Sequence, residues 1–252
     1  MEQKTLSAIL DVAVSLAESG AEISRIEESI TRMCSAYNFE RIDAYATTSQ
    51  ILVSAETKDG DVKMLQRRVF GNSINIEKMH RLNSLVRHIS ANAPSANEIK
   101  QKTTEINATK KNSAYVLPLF YAIIAVAFAF FFGCRNLNEA VVAFIVGNVI
   151  GVLEVLFGKI QINKILMRFV CSLFASFLVR FFISVGFISS PDYVIIGNIM
   201  SLIPGIGITN ALRDLLSGDI ITGILRSIEA LLLTVAIALG FALPSIILGG
   251  GF

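Results

Sequence analysis

The chain has 252 residues, of which 53% are hydrophobic and 17% charged, and a formal net charge of +2 at pH 7. This composition excludes an ordinary soluble domain, which is less apolar, and a chain lying wholly in lipid, which carries fewer charges. The small net charge, with both signs interleaved, also argues against a nucleic-acid partner. Most charged residues precede residue 113, so the sequence predicts a soluble amino-terminal part and then a membrane part.

The first 91 residues are predicted to form a small cytoplasmic α+β domain. Apolar residues recur at helical spacing over residues 5–19 and about 22–37, and Gly20 is a natural helix stop between them. Alternating patterns then predict three strands, and helical spacing returns over residues 75–91. The predicted order is ααβββα, with strands at residues 41–48, 51–57 and 62–69.

A membrane region is predicted to follow. Residues 92–113 are polar and predict a linker or an exposed helix, whereas residues 114–252 contain apolar runs of about the 20 residues that a spanning helix needs. The predicted fold is a membrane α-helical bundle of about five transmembrane helices, with four or six as alternatives. The spans are 114–134, 139–158, 165–187, 193–217 with an interruption at 204–207, and 220–242.

Basic residues in short loops predict the orientation of these spans. Lys110 and Lys111 precede the first span, and Lys159, Lys164 and Arg168 surround the second connection. Because Lys and Arg concentrate in cytoplasmic loops, the amino terminus is expected in the cytoplasm and the carboxyl terminus outside. The first helix carries acidic residues and does not resemble a cleavable signal peptide.

The stretch "PGIGITNALRDLLSGD" interrupts the fourth span. Pro204 removes a backbone donor, and Gly205 permits conformations closed to other residues, so a break in the helix is expected there. Thr209 is predicted to cap a short second helix over residues 210–217, and Asp219 to cap the last helix. Irregular backbone at membrane depth persists only against protein or a water-filled cavity.

Charged residues near this break predict a polar cavity for transport. An intramembrane charge is costly unless it faces a partner or water, and an arginine can bind a carboxylate through two hydrogen bonds. The alternative is an ion pair at the cytoplasmic interface that only holds two helices together. The predicted transport residues are Pro204, Gly205, Thr209, Asn210, Arg213, Asp214, Asp219, Arg226 and Glu229, with Asn198, Glu154 and Arg180 as secondary candidates.

The sequence predicts no metal site, cofactor or catalytic centre. Cys34, Cys134 and Cys171 are far apart and lack metal-ligand spacing, which is typical of small apolar filler residues. His80 and His88 lie two turns apart on one predicted helix and indicate surface roles.

Several motifs together resemble the threonine/serine exporter family over nearly the whole chain. They are "SGAEISRIEESITRM", "TTSQILVSAETKDG", "INIEKMHRLNSLVRHI" and "SLIPGIGITNALRDLLSGDIITGILRSIEALLLTVAIALG". The chain is most similar to the shorter two-gene branch, in which a smaller membrane protein supplies the remaining helices. Glu22, Arg25 and Glu27 match the family's "GAE…R.E" pattern, for which an ion-pair lock between the first two helices is also expected.

The resemblance implies export of small organic acids across the bacterial inner membrane. Threonine and serine are the expected substrates of some members, and dicarboxylates such as succinate those of the two-gene branch, with the proton motive force as the driving force. The expected partner is the smaller membrane subunit, although self-association stays open. Two other functions also stay open: a membrane-anchored enzyme or sensor that acts through its amino-terminal domain, and a passive channel.

Overall fold

The computed structural model describes residues 2–71, 74–109, 115–160 and 162–247. Lys110, Lys111, Ala114 and the side chain of Lys159, on which some predictions rest, lie outside this described part. The helices are α1 Glu2–Glu18, α2 Ile23–Ser35, α3 Ile76–Asn92, α4 Ala96–Asn107, α5 Leu117–Phe131, α6 Leu137–Ile160, α7 Lys164–Ser184, α8 Asp192–Leu202, α9 Gly205–Leu216 and α10 Ile220–Ile247. The strands are β1 Arg41–Ala46, β2 Gln50–Glu56 and β3 Val62–Arg68.

The chain divides into two compact units. The first combines Met1–Lys110 with the later segment Ile208–Ser227. The second combines Lys111–Gly207 with Ile228–Phe252. All of α9 except its first three residues, together with the first two turns of α10, therefore belongs to the same unit as the amino-terminal residues.

In the first unit, the predicted ααβββα order is confirmed. The strands form an antiparallel sheet in the order β1-β2-β3, with Val53 of β2 paired to Ala44 of β1 and to Leu65 of β3. One face of β2 is buried, because every second residue from Ile51 onward faces the helices. Helix α1 contributes more buried residues to the core than any other element, and they lie on nearly all of its sides.

The polar segment after α3 contains a packed helix. Ser95 caps α4 by accepting a hydrogen bond from the backbone N–H of Glu98. Ile99 is fully buried in the core of the first unit, and Thr103, one turn later, is buried beside it. Within residues predicted as a linker or an exposed helix, α4 thus has one buried face, which packs on α1 and α3.

The second unit consists of apolar helices. Three described helices, α6, α7 and α10, are long and apolar enough to cross a membrane, and the bent pair α8 and α9 would make a fourth span. Helix α5 has 15 residues and is shorter than the predicted first span, because Pro118 lies at its start and Gly133, with a φ of 109°, follows its end. A helical membrane region is therefore present, and the count of described spans is three to four.

The predicted break in the fourth span is present. Helix α8 ends at Leu202, α9 begins at Gly205, and the two helix axes differ by 55°. The cap predicted at Thr209 is wrong: α9 begins four residues earlier, so Thr209 lies inside the helix. The physical reason is that Pro204 lacks the N–H that would continue α8, yet it fits directly before a new helix. At the other end, Gly218 has a φ of 93°, a left-handed conformation that ends α9.

Helix α8 packs closely against α5 at Gly197. A Cβ atom at Gly197 would lie 2.3 Å from the carbonyl oxygen of Ala125 and 3.2 Å from the Cβ of Ala129. The absence of a side chain thus lets the two backbones approach, as is common between membrane helices. By contrast, a Cβ at Gly158 in α6 would meet no atom within 4 Å.

We expect the substitution Gly197→Val to separate α8 from α5 and to lower the thermal unfolding midpoint of the detergent-solubilised chain by several degrees. The reason is that the overlap involves backbone atoms, which cannot rotate away. The matched variant Gly158→Val should leave the midpoint within about 1 °C, because its site is open. Equal midpoints for the two variants would contradict the close packing.

Candidate functional site

In the first unit, the turn between α1 and α2 meets the hairpin formed by α9 and α10. Helix α1 ends in a Schellman-type turn, in which Ala21 N–H donates to the carbonyl oxygen of Leu16 and Gly20 has a φ of 84°. The carbonyl oxygens of Gly20 and Ala21 accept hydrogen bonds from side chains of the hairpin. Asn210 Nδ2 donates to Gly20 at 3.2 Å, and Arg226 Nη2 donates to Ala21 at 3.0 Å.

A buried ion pair lies at the centre of this contact. Arg226 Nη1 donates to Asp214 Oδ2 at 2.6 Å, and the two side chains are only 7% and 1% exposed. The Asp214 carboxylate also accepts from the backbone N–H of Ile23, the first residue of α2. A carboxylate at this position satisfies an otherwise unpaired helix donor and interacts favourably with the positive end of the helix dipole. Asp214 thus caps α2 from a distant part of the sequence.

A second ion pair lies at the edge of the contact. Arg213, the neighbour of Asp214 in α9, donates to the carboxylate of Glu22, which directly precedes α2. Its side chain is 53% exposed, and that of Glu22 is 16% exposed. Such a solvent-facing pair contributes about 0–1 kcal/mol to stability, whereas loss of one partner of a buried pair costs about 3–5 kcal/mol. The set Gly20, Ala21, Glu22, Ile23, Asn210, Arg213, Asp214 and Arg226 is called the polar cluster below.

Other predicted site residues make separate contacts. The Glu229 carboxylate lies 3.8 Å from Lys164 Nζ, although it is one turn from Arg226 on α10. Glu154 pairs with Arg168 at 2.5 Å between α6 and α7. Arg168, interpreted from the sequence as an orientation signal, therefore also has a structural partner.

Two secondary candidates lie on α7 and α8. Arg180 of α7 is half-buried. Asn198 of α8 is fully buried and donates from Nδ2 to the carbonyl oxygen of Val194 at 2.8 Å. Among the described residues, its Oδ1 atom has no hydrogen-bond partner. Both residues belong to the second unit, so the polar cluster contains neither.

The remaining motif residues surround the polar cluster. Arg25 lies 3.7 Å from Glu22 within the start of α2, so Glu22 joins both Arg25 and Arg213. Glu27 Oε1 accepts from the backbone N–H of Ala46 at 2.8 Å, which ties α2 to β1. Asp219 directly precedes α10, and its carbonyl oxygen accepts from Gly223 N–H.

Glu27 also lines an acidic cavity of about 520 Å³ between α2 and the sheet. Burial raises the pKa of the Glu27 carboxyl. The Ala46 N–H opposes that effect, and the negative charge of Asp219 adds to it. Within the described residues, no group of three or more His, Cys, Asp and Glu side chains has the arrangement of a metal site.

The polar cluster brings together two motifs, at residues 20–23 and 210–226, that are almost 200 residues apart in the chain. A single family model matches a stretch of the chain that includes both motifs. That model is described as "Putative threonine/serine exporter" and matches residues 7–247. The chain belongs to the threonine/serine exporter family. Together with its apolar helices, this makes it a multi-pass membrane transport protein.

Two curated relatives of this exporter have the same printed name, "Probable succinate transporter subunit YjjP". The Klebsiella aerogenes protein is 26% identical, over 95% of this chain and 92% of its own length. The protein from Escherichia coli strain K12 is 25% identical, over 93% of this chain and 91% of its own. No solved structure matches the chain significantly.

Sequence reasoning missed the backbone half of the polar cluster. The carbonyl groups of Gly20 and Ala21 and the N–H of Ile23 have no side-chain signature. The sequence indicated these backbone contacts only indirectly, because Gly20 ends one helix and Glu22 lies at the cap position of the next. Such a turn leaves backbone groups unpaired, and unpaired groups need partners elsewhere.

We expect the buried pair to behave as a coupled unit in stability measurements. Asp214→Leu and Arg226→Met should each lower the free energy of unfolding by about 3–5 kcal/mol, because each leaves one buried charge unpaired. The double variant should recover a large part of that loss, since no charge remains buried. Thermal or denaturant unfolding of the full chain in detergent gives the comparison. Additive losses would contradict direct pairing.

We also expect Glu27 to make stability depend on pH. Because its folded-state pKa is raised, its stabilising contribution is present below the unfolded pKa of about 4.3 and is lost as pH rises through the folded value. Glu27→Gln keeps an oxygen acceptor for Ala46 and removes the charge, so the variant should be more stable than wild type at pH 7. Unfolding midpoints between pH 4 and pH 7 test this, with Glu40→Gln as control. A Glu27→Gln chain less stable at pH 7 would contradict it.

Proposed function

We propose that this chain is one subunit of a secondary exporter that moves small organic acids out of the cell. The observation that carries the proposal is the family match over residues 7–247, which includes every residue of the polar cluster. The word "subunit" in the names of both relatives supports a partner, for which a smaller integral membrane protein is our proposal and self-association the alternative. Both relatives are bacterial, which supports the inner membrane as the location.

The proposed substrate contact is the polar cluster together with the helix break at Pro204 and Gly205. A guanidinium group binds a carboxylate through paired hydrogen bonds, and the cluster contains two of them. Arg213 is the more accessible, being 53% exposed. Threonine or serine would need one cationic and one anionic contact, whereas succinate would use two cationic ones. We therefore propose small carboxylates as the substrate class. Thr209 and Glu229 remain further candidates for residues that contact the substrate.

The length of α10 supports a cytoplasmic position for the polar cluster. Helix α10 has 28 residues, and about 20 are enough to cross the hydrocarbon. Its last part, beginning at Ile228, belongs to the second unit, and the preceding residues belong to the first. In our proposal the part after Ser227 crosses the membrane, while residues 220–227 stand at the cytoplasmic surface.

The remaining arrangement follows the loop charges. We propose a cytoplasmic domain over residues 1–91 and a membrane domain over residues 114–252 with five crossings. The short α5 would be the first crossing and the bent pair α8 and α9 the fourth. The amino terminus would lie in the cytoplasm and the carboxyl terminus outside. Proline within α10, at Pro244, is compatible with a spanning helix because neighbouring groups can satisfy the freed carbonyl.

Transport into inside-out vesicles containing the chain and its partner tests the proposal. Wild type should take up radiolabelled serine, threonine or succinate, and collapse of the proton gradient should abolish uptake. Uptake that is unchanged after collapse of the proton gradient would instead support a passive channel. Metabolite turnover without uptake would support an enzyme.

Within this assay, we expect Arg213→Ala and Asp214→Asn to lower uptake at least ten-fold, for different reasons. Arg213→Ala removes the accessible cation of the proposed substrate contact, whereas Asp214→Asn leaves the buried Arg226 without its anionic partner. Arg32→Ala is the matched control: it removes an exposed guanidinium that pairs with Glu28 on α2. Wild-type uptake by both cluster variants would remove the proposed site.

A further inference from the structure

Both guanidinium groups of the polar cluster already have carboxylate partners from this chain. Asp214 pairs with Arg226, and Glu22 pairs with Arg213. A substrate carboxylate can therefore reach either arginine only by replacing an internal carboxylate. The two pairs differ in how readily that exchange can occur.

The inner pair is fixed by its surroundings. Asp214 is 1% exposed and also accepts from the Ile23 N–H, while Arg226 also donates to the Ala21 carbonyl oxygen. Removal of Asp214 from Arg226 would leave buried groups without partners, which is strongly unfavourable. This pair is a permanent part of the fold.

The outer pair is less restrained, although the Glu22 side chain is only 16% exposed. The Arg213 side chain is 53% exposed and extends from the surface of α9. Glu22 has one further ionic neighbour, Arg25, at 3.7 Å, so its charge stays compensated when Arg213 is lost. Exposed ion pairs are close to balance with hydration of the separate ions. A dissolved carboxylate can thus compete for Arg213 at little cost.

We propose that Glu22 is an internal competitor of the substrate carboxylate. With no substrate bound, Glu22 occupies Arg213 and holds the α1–α2 turn against α9. A substrate carboxylate takes its place on Arg213, and Glu22 turns to Arg25. This inference rests on the proposed function, because it assumes that Arg213 contacts substrate.

The consequence is a link between substrate binding and the amino-terminal domain. Glu22 is the residue directly before α2, and Gly20, with a φ of 84°, lies two residues earlier. A change at Glu22 therefore acts on the first turn of α2, while the Asp214–Arg226 pair keeps the hairpin in place. The α1–α2 turn thus changes when substrate binds to Arg213, and the rest of the amino-terminal domain keeps its fold.

Kinetics of the Glu22→Gln variant test this inference in the vesicle assay. Gln keeps the shape of the side chain and removes the competing charge. The KM for succinate or serine should fall about two- to five-fold, the range corresponding to an exposed ion pair. The matched control is Glu28→Gln, which removes an exposed carboxylate of α2 that pairs with Arg32, and its KM should equal that of wild type. A purely structural role of Glu22 would lower the maximal rate without lowering KM.

Hydrogen exchange on the full chain in detergent gives a readout that does not depend on transport. Amides of residues 20–26 should exchange faster in Glu22→Gln than in wild type without substrate. Addition of succinate should accelerate the same amides in wild type and have little further effect in the variant. Glu22→Ala should change both readouts in the same direction, which guards against an effect peculiar to Gln.

The outcomes separate the two proposals. Absence of uptake by wild type would refute the proposed function, and the exchange data alone would then judge the Glu22–Arg213 contact. Uptake by wild type with an unchanged or higher KM in Glu22→Gln would overturn the competitor role. Unaltered exchange over residues 20–26 in the variant would overturn it as well.

Discussion

The ion pair between Asp214 and Arg226 is buried, and this burial constrains the surrounding structure. A charged group that is removed from water needs polar partners within the protein, and each member of this pair has two. Asp214 accepts from Arg226 and from the Ile23 N–H, while Arg226 donates to Asp214 and to the Ala21 carbonyl oxygen. The α1–α2 turn and the α9–α10 hairpin are therefore required by each other, although they are far apart in the chain.

The same hairpin is polar on one side and apolar on the other. Asp214 of α9 and Arg226 of α10 are buried and contact the amino-terminal residues Ile23 and Ala21. The opposite side exposes large apolar residues, and lipid or a partner subunit would cover them in the proposed exporter. These residues are Leu212, Leu216, Ile220, Ile221, Ile224 and Leu225.

Periodicity and breaker residues were enough to predict much of the fold. The order of the first six elements and the break at Pro204 followed from local patterns, because core-facing spacing and proline chemistry act within a few residues. The length of α5 and the first residue of α9 were predicted wrongly. Proline and glycine set where these helices begin and end, and a run of apolar residues does not show those boundaries. An exposed helix was one of the two predictions for the segment that forms α4. Its packing was hidden by its polar composition, since the packed side is marked by Ala96, Ile99, Thr103 and Ile106.

The candidate site was only half predictable for a different reason. Charges in apolar surroundings pointed to Arg213, Asp214 and Arg226, because such residues need partners. Their partners on the α1–α2 turn are mostly backbone atoms, which every residue carries and no sequence pattern marks. Long-range pairing of this kind depends on tertiary structure. The expected ion-pair lock between the first two helices is wrong, because Glu22 pairs with Arg25 at the start of α2 and with Arg213 in α9.

The first unit is discontinuous: the chain leaves it after Lys110 and returns at Ile208. During synthesis, the intervening stretch Lys111–Gly207 takes about 5–20 s at usual translation rates. Throughout that interval the nascent amino-terminal segment has neither the carboxylate that caps α2 nor the guanidinium that binds Ala21. Maturation of this unit is consequently tied to insertion of the membrane helices that separate its two pieces.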